Sequence, residues 1–212
     1  MGLIEDYGLD SRSKALLLLL FHVSGKGDTR LNKIQINKMI RYFQLLSKKN
    51  EISFSQYNLG DVSFEIQEGI DELLDIGILE EDRSKLFLSE EGKKASEELS
   101  KKSNKKDIEL LSKSYNTLNG LSDEEIMFFM YNEIPESRIN SKVYGDLMKR
   151  GVRLVQNLYN KGKISASTAL SWVSEEDRDK LELEVRPEYL DYLESNRSKK
   201  TVSAVNPSLN CR

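Results

Sequence analysis

The segment from Ala15 to Val23, Ala-Leu-Leu-Leu-Leu-Leu-Phe-His-Val, constrains the fold more than any other part of the chain. Asp10 or Ser11 can cap a helix here, and that helix is apolar almost all round, so it is expected to be buried. The run from Ala15 to Phe21 is far too short to span a bilayer, and Gly2 to Gly8 before it hold only acidic charges. Neither a membrane anchor nor a secretory leader is expected. Cys211 is the one cysteine, so no intramolecular disulfide or thiolate metal cage can form, which points to a reducing, cytoplasmic setting. A length of 212 residues allows two modules, each able to bury its own core.

After the turn Gly25-Lys26-Gly27-Asp28, a second helix is expected from about Leu31 to Leu46. It has Ile36, Met39, Ile40 and Phe43 on one face and Lys33, Asn37, Arg41, Gln44 and Lys48 at helical spacing on another. An extended stretch from Ile52 to Tyr57 and a turn at Gly60-Asp61 lead to a third helix, Ser63 to Ile76, closed by Gly77. Next come Ile78 to Glu81, a polar turn Asp82-Arg83-Ser84-Lys85, the strand Lys85 to Leu88, and a helix opened by Ser89. Three helices, a short β-hairpin wing and a closing helix describe a winged helix-turn-helix within a mainly α protein.

The expected organisation is a winged-helix domain over residues 1–100, a polar linker at 101–106, a helical C-terminal domain over 107–195 and a disordered tail at 196–212. Within the second domain, Ser122 with Glu125 forms a capping box and Pro135 stops the helix it opens. A long helix follows from Asn140 or Ser141 to Tyr159, then a short one ending at Trp172 and a last one near Glu188 to Ser195.

The net charge of −3 hides a basic block of +5 over residues 1–50, an acidic block of −10 over 51–100 and a second basic block of +5 over 136–173. The third helix carries Glu65, Glu68, Asp71, Glu72 and Asp75 and no Lys or Arg, so laying it in a DNA groove would set carboxylates against phosphates. The candidate nucleic-acid contacts are therefore two stripes that mix cations with amides. One is Lys33, Asn37, Arg41 and Lys48; the other is Lys142, Lys149, Arg150, Arg153, Gln156 and Asn160. Arg83 and Lys85 of the wing can add backbone contacts. The plainer alternative is that each stripe is the solvated side of an amphipathic helix. Glu65, Glu68 and Glu72 are candidates for contact with a protein partner or a dimer mate.

Parts for catalysis are not visible: no nucleophile or metal set is joined to a positioned base. His22, the one histidine, is expected in the core, and Gly25-x-Gly27 is expected to be a plain turn. The acidic pairs at Glu80-Glu81 and Glu90-Glu91 are expected to be solvated surface, and Trp172 a packing anchor. No cofactor or metal is expected.

Two stretches carry a resemblance. Lys33-Ile34-Gln35 with Met39-Ile40-Arg41-Tyr42-Phe43, then Tyr57 to Ile66, then Leu73-Leu74-Asp75-Ile76-Gly77-Ile78-Leu79, resemble the Panacea (SocA-type) antitoxin domain and its YwgA-like relatives over Leu31 to Leu99. Those relatives usually have proline where Asp61 stands, and Asn58 and Leu59 interrupt their central motif. Leu158-Tyr159-Asn160-Lys161-Gly162-Lys163-Ile164-Ser165, with Ala169 and Leu170, is similar to a short prokaryotic antitoxin-like helix-turn-helix family, whose continuation is altered here at Ser171-Trp172-Val173. Both resemblances imply regulation through double-stranded DNA or a toxin-like protein partner. The leading expectation is a winged-helix, DNA-binding or antitoxin-like regulator. Its rival is an interaction or oligomerisation module whose winged helix does not bind DNA.

Overall fold

A computed structural model describes residues 11–25 and 29–183 of the chain. The expected last helix at 188–195 and the tail at 196–212 lie outside the described residues. The chain divides into two compact units, Met1–Leu154 and Val155–Arg212.

The first unit is organised around α1 (Arg12–Val23), which starts where Ser11 accepts a hydrogen bond from the Lys14 amide. Leu16 through Phe21 are all buried. A helix with no polar face must be covered from several directions, and α1 packs against α2 (Lys33–Ser47), α3 (Phe64–Asp75), α4 (Glu90–Lys102) and α5 (Lys105–Leu118). Each buried leucine contributes about 1.5–3 kcal/mol by leaving water. His22 departs from the expectation of a core residue. It is half-buried and borders a cavity of about 240 Å³ with Glu90, Lys93, Lys94, Ser96 and Glu97 of α4.

Two short antiparallel hairpins accompany the helices. The first, β1 (Ser55–Tyr57) with β2 (Gly60–Val62), pairs Ser55 with Val62 and Tyr57 with Gly60. From sequence this stretch reads as an extended segment and a turn at Gly60-Asp61, whereas the structure turns at Asn58-Leu59 and makes Gly60 a strand residue. The second, β3 (Leu79–Asp82) with β4 (Lys85–Leu88), is the expected hairpin. Leu31 adds a bridge to its free edge, its amide donating to Leu86 and its carbonyl accepting in return. Gly92, in the first turn of α4, sits so close to the base of this hairpin that a Cβ would lie 2.2 Å from the Ile78 carbonyl oxygen. Its lack of a side chain is what lets α4 close there.

The two units meet at residues 154 and 155, whereas a polar linker is expected at 101–106. Those residues hold the last turn of α4, Ser103, and Asn104, whose side chain caps α5. A polar composition suits caps as well as linkers. Beyond them α5 packs on α2 and α1, with Ser114 Oγ donating to the Met39 carbonyl at 2.6 Å. Asp107 receives Lys49 at 2.9 Å and Arg12 at 3.2 Å. Helix α6 (Asp123–Glu133) begins with the Ser122–Glu125 capping box and seats Phe129 edge-on against Tyr42. A 3-10 turn (Pro135–Arg138) ends it.

The single long helix expected from residue 140 to 159 is two helices, α7 (Tyr144–Lys149) and α8 (Gly151–Asn160). The apolar spacing runs across the break, so periodicity hides it; Arg150 leaves helical backbone angles and Gly151 is buried near Phe128. Helix α8 crosses the boundary between units. In the second unit Gly162, with φ +64°, closes α8, and α9 (Ala166–Ser171) is capped by Ser165. Gln156 clasps the backbone of Glu182 by accepting from its amide at 2.8 Å and donating to its carbonyl at 3.0 Å. Among the described residues no helix is long and apolar enough to cross a membrane.

Candidate partner-binding site

The expected basic stripe on α2 does not present a continuous solvated face. Asn37 and Gln44 are buried. Asn37 accepts from the Ser63 amide at 3.0 Å and donates to the Lys33 carbonyl, and Gln44 donates to the carbonyls of Lys49 and Ile52. These contacts cap and hold backbone. Lys33 faces Asp71 at 3.5 Å, Lys48 is exposed at the end of α2, and Arg41 is drawn into a network around Asp61.

That network joins three elements. Lys38, buried on α2, donates through Nζ to the carbonyl oxygens of Leu59 and Asp61, both at 2.9 Å. The buried Asp61 carboxylate accepts from Arg41 Nε and from Ser137 Oγ, both at 2.8 Å. Arg41 also lies over the Phe54 ring. Gly60, at φ +84°, passes against the Tyr131 ring and Lys38 Nζ. Tyr131 in turn shares a 2.7 Å hydrogen bond with Ser141, and Asn58 accepts from the Lys142 amide at 3.0 Å. Burial lowers the Lys38 ammonium to about 8, against the pull of Asp61 and with a smaller push from Arg41. A neutral amine still has the two N–H groups its two carbonyls require.

The hairpin held in this way carries an apolar surface. Tyr57 is 53% exposed, Leu59 40% and Phe64 58%, with the Tyr57 and Phe64 rings edge to face. Beside Leu59 a cavity of about 140 Å³ is lined by Lys33, Ile34, Asn37, Lys38, Asp61, Val62 and Gln67. Phe64, Glu68, Asp71 and Asp75 follow one another at helical spacing along the exposed side of α3. Of the partner candidates, Glu65 accepts from the Ser53 amide, Glu72 pairs with Lys14 at 2.8 Å, and Glu68 makes no ion pair among the described residues.

The chain matches no protein-family model, no curated protein and no solved structure.

The second basic stripe falls on both sides of the unit boundary. In the first unit, Arg150 and Arg153 both engage Glu124, the latter at 3.0 Å, and Lys149 pairs with Asp146 at 2.9 Å. Lys142 is exposed at the start of the turn before α7. Gln156 and Asn160 belong to the second unit, where Gln156 donates to Asn160 at 2.8 Å as well as holding Glu182. At the β3–β4 turn, Arg83 is exposed with φ 50° and Lys85 donates to Gln35 at 3.2 Å.

Sequence reasoning passed over Lys38, Asp61, Ser137 and the exposed Tyr57, Phe64 and Ile139. Lys38 had a local signal, since it stands four residues before Tyr42 and between Asn37 and Met39, on a flank that cannot all face water. Its acceptors lie in another element, out of reach of helical periodicity.

Proposed function

We propose that this protein is a non-catalytic regulatory module, built on a winged helix-turn-helix, that works by docking another protein through the face formed by α3 and the β1–β2 turn. The winged-helix reading is supported by the order α1, Leu31 bridge, α2, α3, β3–β4 and α4. The observation that carries the functional reading is the composition of that face. It sets three exposed apolar side chains, Tyr57, Leu59 and Phe64, beside a row of carboxylates. Contiguous exposed aromatic and apolar surface with a charged rim is the usual make-up of a protein interface.

Two features argue against DNA on the same face. Glu68, Asp71 and Asp75 would meet phosphate with like charge. Residues 48–63, hairpin included, separate α2 from α3, where a DNA-reading helix-turn-helix has a turn of about 3–4 residues. The resemblance to antitoxins supports a protein partner of the toxin-like kind.

A second reading keeps DNA as the ligand of α7 and the start of α8, because the side chains of Lys149 and Arg153 are 78% and 60% exposed despite their ion pairs. Fluorescence anisotropy of a labelled mixed-sequence duplex at low and moderate salt separates the two. The docking reading requires no salt-steep binding. Binding that falls steeply with salt would transfer the function to those cations.

A further inference from the structure

Helix α3 turns one side to solvent along its whole length. Phe64, Glu68, Asp71 and Asp75 recur there at helical spacing and are all exposed, a row about 16 Å long at the helical rise per residue. An aromatic pair heads the row, because the Phe64 ring meets the Tyr57 ring edge to face at 6.2 Å and both residues are more than half exposed. Glu65 and Glu72 lie on one flank of the row; on the other are Gln67 and Lys33, which faces Asp71.

The charge on this row is one-sided and destabilises the isolated helix. Glu68 and Asp75 make no ion pair among the described residues, while Lys33 stands 3.5 Å from Asp71 and Lys14 takes Glu72. Glu68 with Glu72, and Asp71 with Asp75, are like charges four residues apart. Glu72 and Asp75 also sit in the last turn, at the negative end of the helix dipole, where no basic residue answers them on α3. From this face we infer that the partner docked on it is a basic amphipathic helix. An aromatic or large aliphatic side chain of that helix seats on Tyr57 and Phe64, and its Lys or Arg residues run along Glu68, Asp71 and Asp75.

A helix laid along α3 keeps step with it, because both repeat every ~3.6 residues, so cations about four, seven and eleven residues from the anchor meet the three carboxylates in turn. The aromatic pair supplies the desolvated centre of the contact, and the ion pairs along the row steer the encounter and set its register. An acidic partner is repelled by the same row, and a neutral one leaves its like charges unanswered. The inference rests on the docking reading above and names the chemistry of its partner.

The test is fluorescence anisotropy of labelled, alanine-rich helical peptides titrated with the full chain. Two probes carry a tryptophan and three arginines on one face, the arginines four, seven and eleven residues after the tryptophan in one and before it in the other. A control of the same composition spreads the arginines round the helix. One of the two probes is expected to bind about tenfold more tightly than the control, with an affinity that falls as salt is raised. Glu68→Gln with Asp75→Gln is expected to remove that preference and to raise the thermal midpoint, since both like-charge pairs are gone. Phe64→Ala is expected to weaken the probe by about tenfold with little change in midpoint. Probes that bind no better than the control, a preference that survives the Glu68 and Asp75 substitutions, or a midpoint that falls with them would each overturn the inference. If the mixed-sequence duplex is not bound either, the docking reading stands with a partner of different chemistry, whereas salt-steep duplex binding abolished by Lys149→Glu with Arg153→Glu removes both.

Discussion

Lys38 and Asp61 are hydrogen-bonded through the backbone: the Lys38 amine donates to the Asp61 carbonyl at 2.9 Å, while the Asp61 carboxylate turns to Arg41 and Ser137. The β1–β2 hairpin, with three residues in each strand, is too short to persist alone and is held by this pair of opposed contacts. Burial takes Lys38 from 10.5 in the unfolded chain to about 8 in the folded one. Below about 8 both states carry the charge and its desolvation cost is borne in full. Between about 8 and 10.5 the unfolded chain binds a proton that the folded chain has released, so the Lys38 contribution to stability increases with pH. Denaturant melts of wild type and Lys38→Met across that window are expected to show the wild type gaining on the variant as pH rises.

Asp107 predicts the opposite pH behaviour at the join of α1, α2 and α5. Burial alone would raise its carboxyl, but hydrogen bonds and charge from Lys49 and Arg12 outweigh that and hold it below the ordinary 3.8. Its stabilisation is present above the unfolded value and is lost as pH falls through the lowered folded value. Asp107→Asn is expected to cost about 1.5–3 kcal/mol at neutral pH, the usual worth of hydrogen bonds to a charged group. Urea unfolding should show that deficit shrinking at acid pH.

Gly60 carries two constraints at once. Its φ of +84° is strained for any residue with a side chain, and an added Cβ would lie 2.9 Å from Tyr131 Cε1 and 3.0 Å from Lys38 Nζ. Gly60→Ala is expected to destabilise by about 2–4 kcal/mol, the backbone and overpacking costs together. A thermal melt measures it, and Gly120→Ala, which has the same sign of φ but nothing within 4 Å of the added carbon, should cost less.

The β3–β4 turn contains a reserve of stability. Arg83 and Ser84 have φ of 50° and 65°, the pair of left-handed residues that a two-residue hairpin loop asks of asparagine and glycine. Replacing Arg83 with Asn and Ser84 with Gly is expected to raise stability by about 1 kcal/mol, read as an increase in denaturant midpoint at constant slope.

What the sequence made legible was local. The buried run of α1, the Ser122 cap, Gly77 after α3, and the β3–β4 hairpin each depend on residues within a few positions of one another. The β1–β2 hairpin was hidden because its Asn58-Leu59 turn lacks the usual glycine and its strands are held by Lys38 from another helix. The α2 stripe was legible as spacing and misleading as exposure. Asn37, Arg41 and Gln44 do share a helix side, but the hairpin, the start of α3 and the segment after α2 cover that side and use its polar atoms. Helix α5 read as a second domain because the sequence does not show that its apolar side meets α2.

Fluorescence anisotropy of a labelled mixed-sequence duplex titrated with the full chain at low and moderate salt tests most directly whether the α3 and β1–β2 face, rather than a DNA-binding surface, is where the protein works. The account predicts no salt-steep binding. Binding that falls steeply with salt, and that Lys149→Glu with Arg153→Glu abolishes, would contradict it.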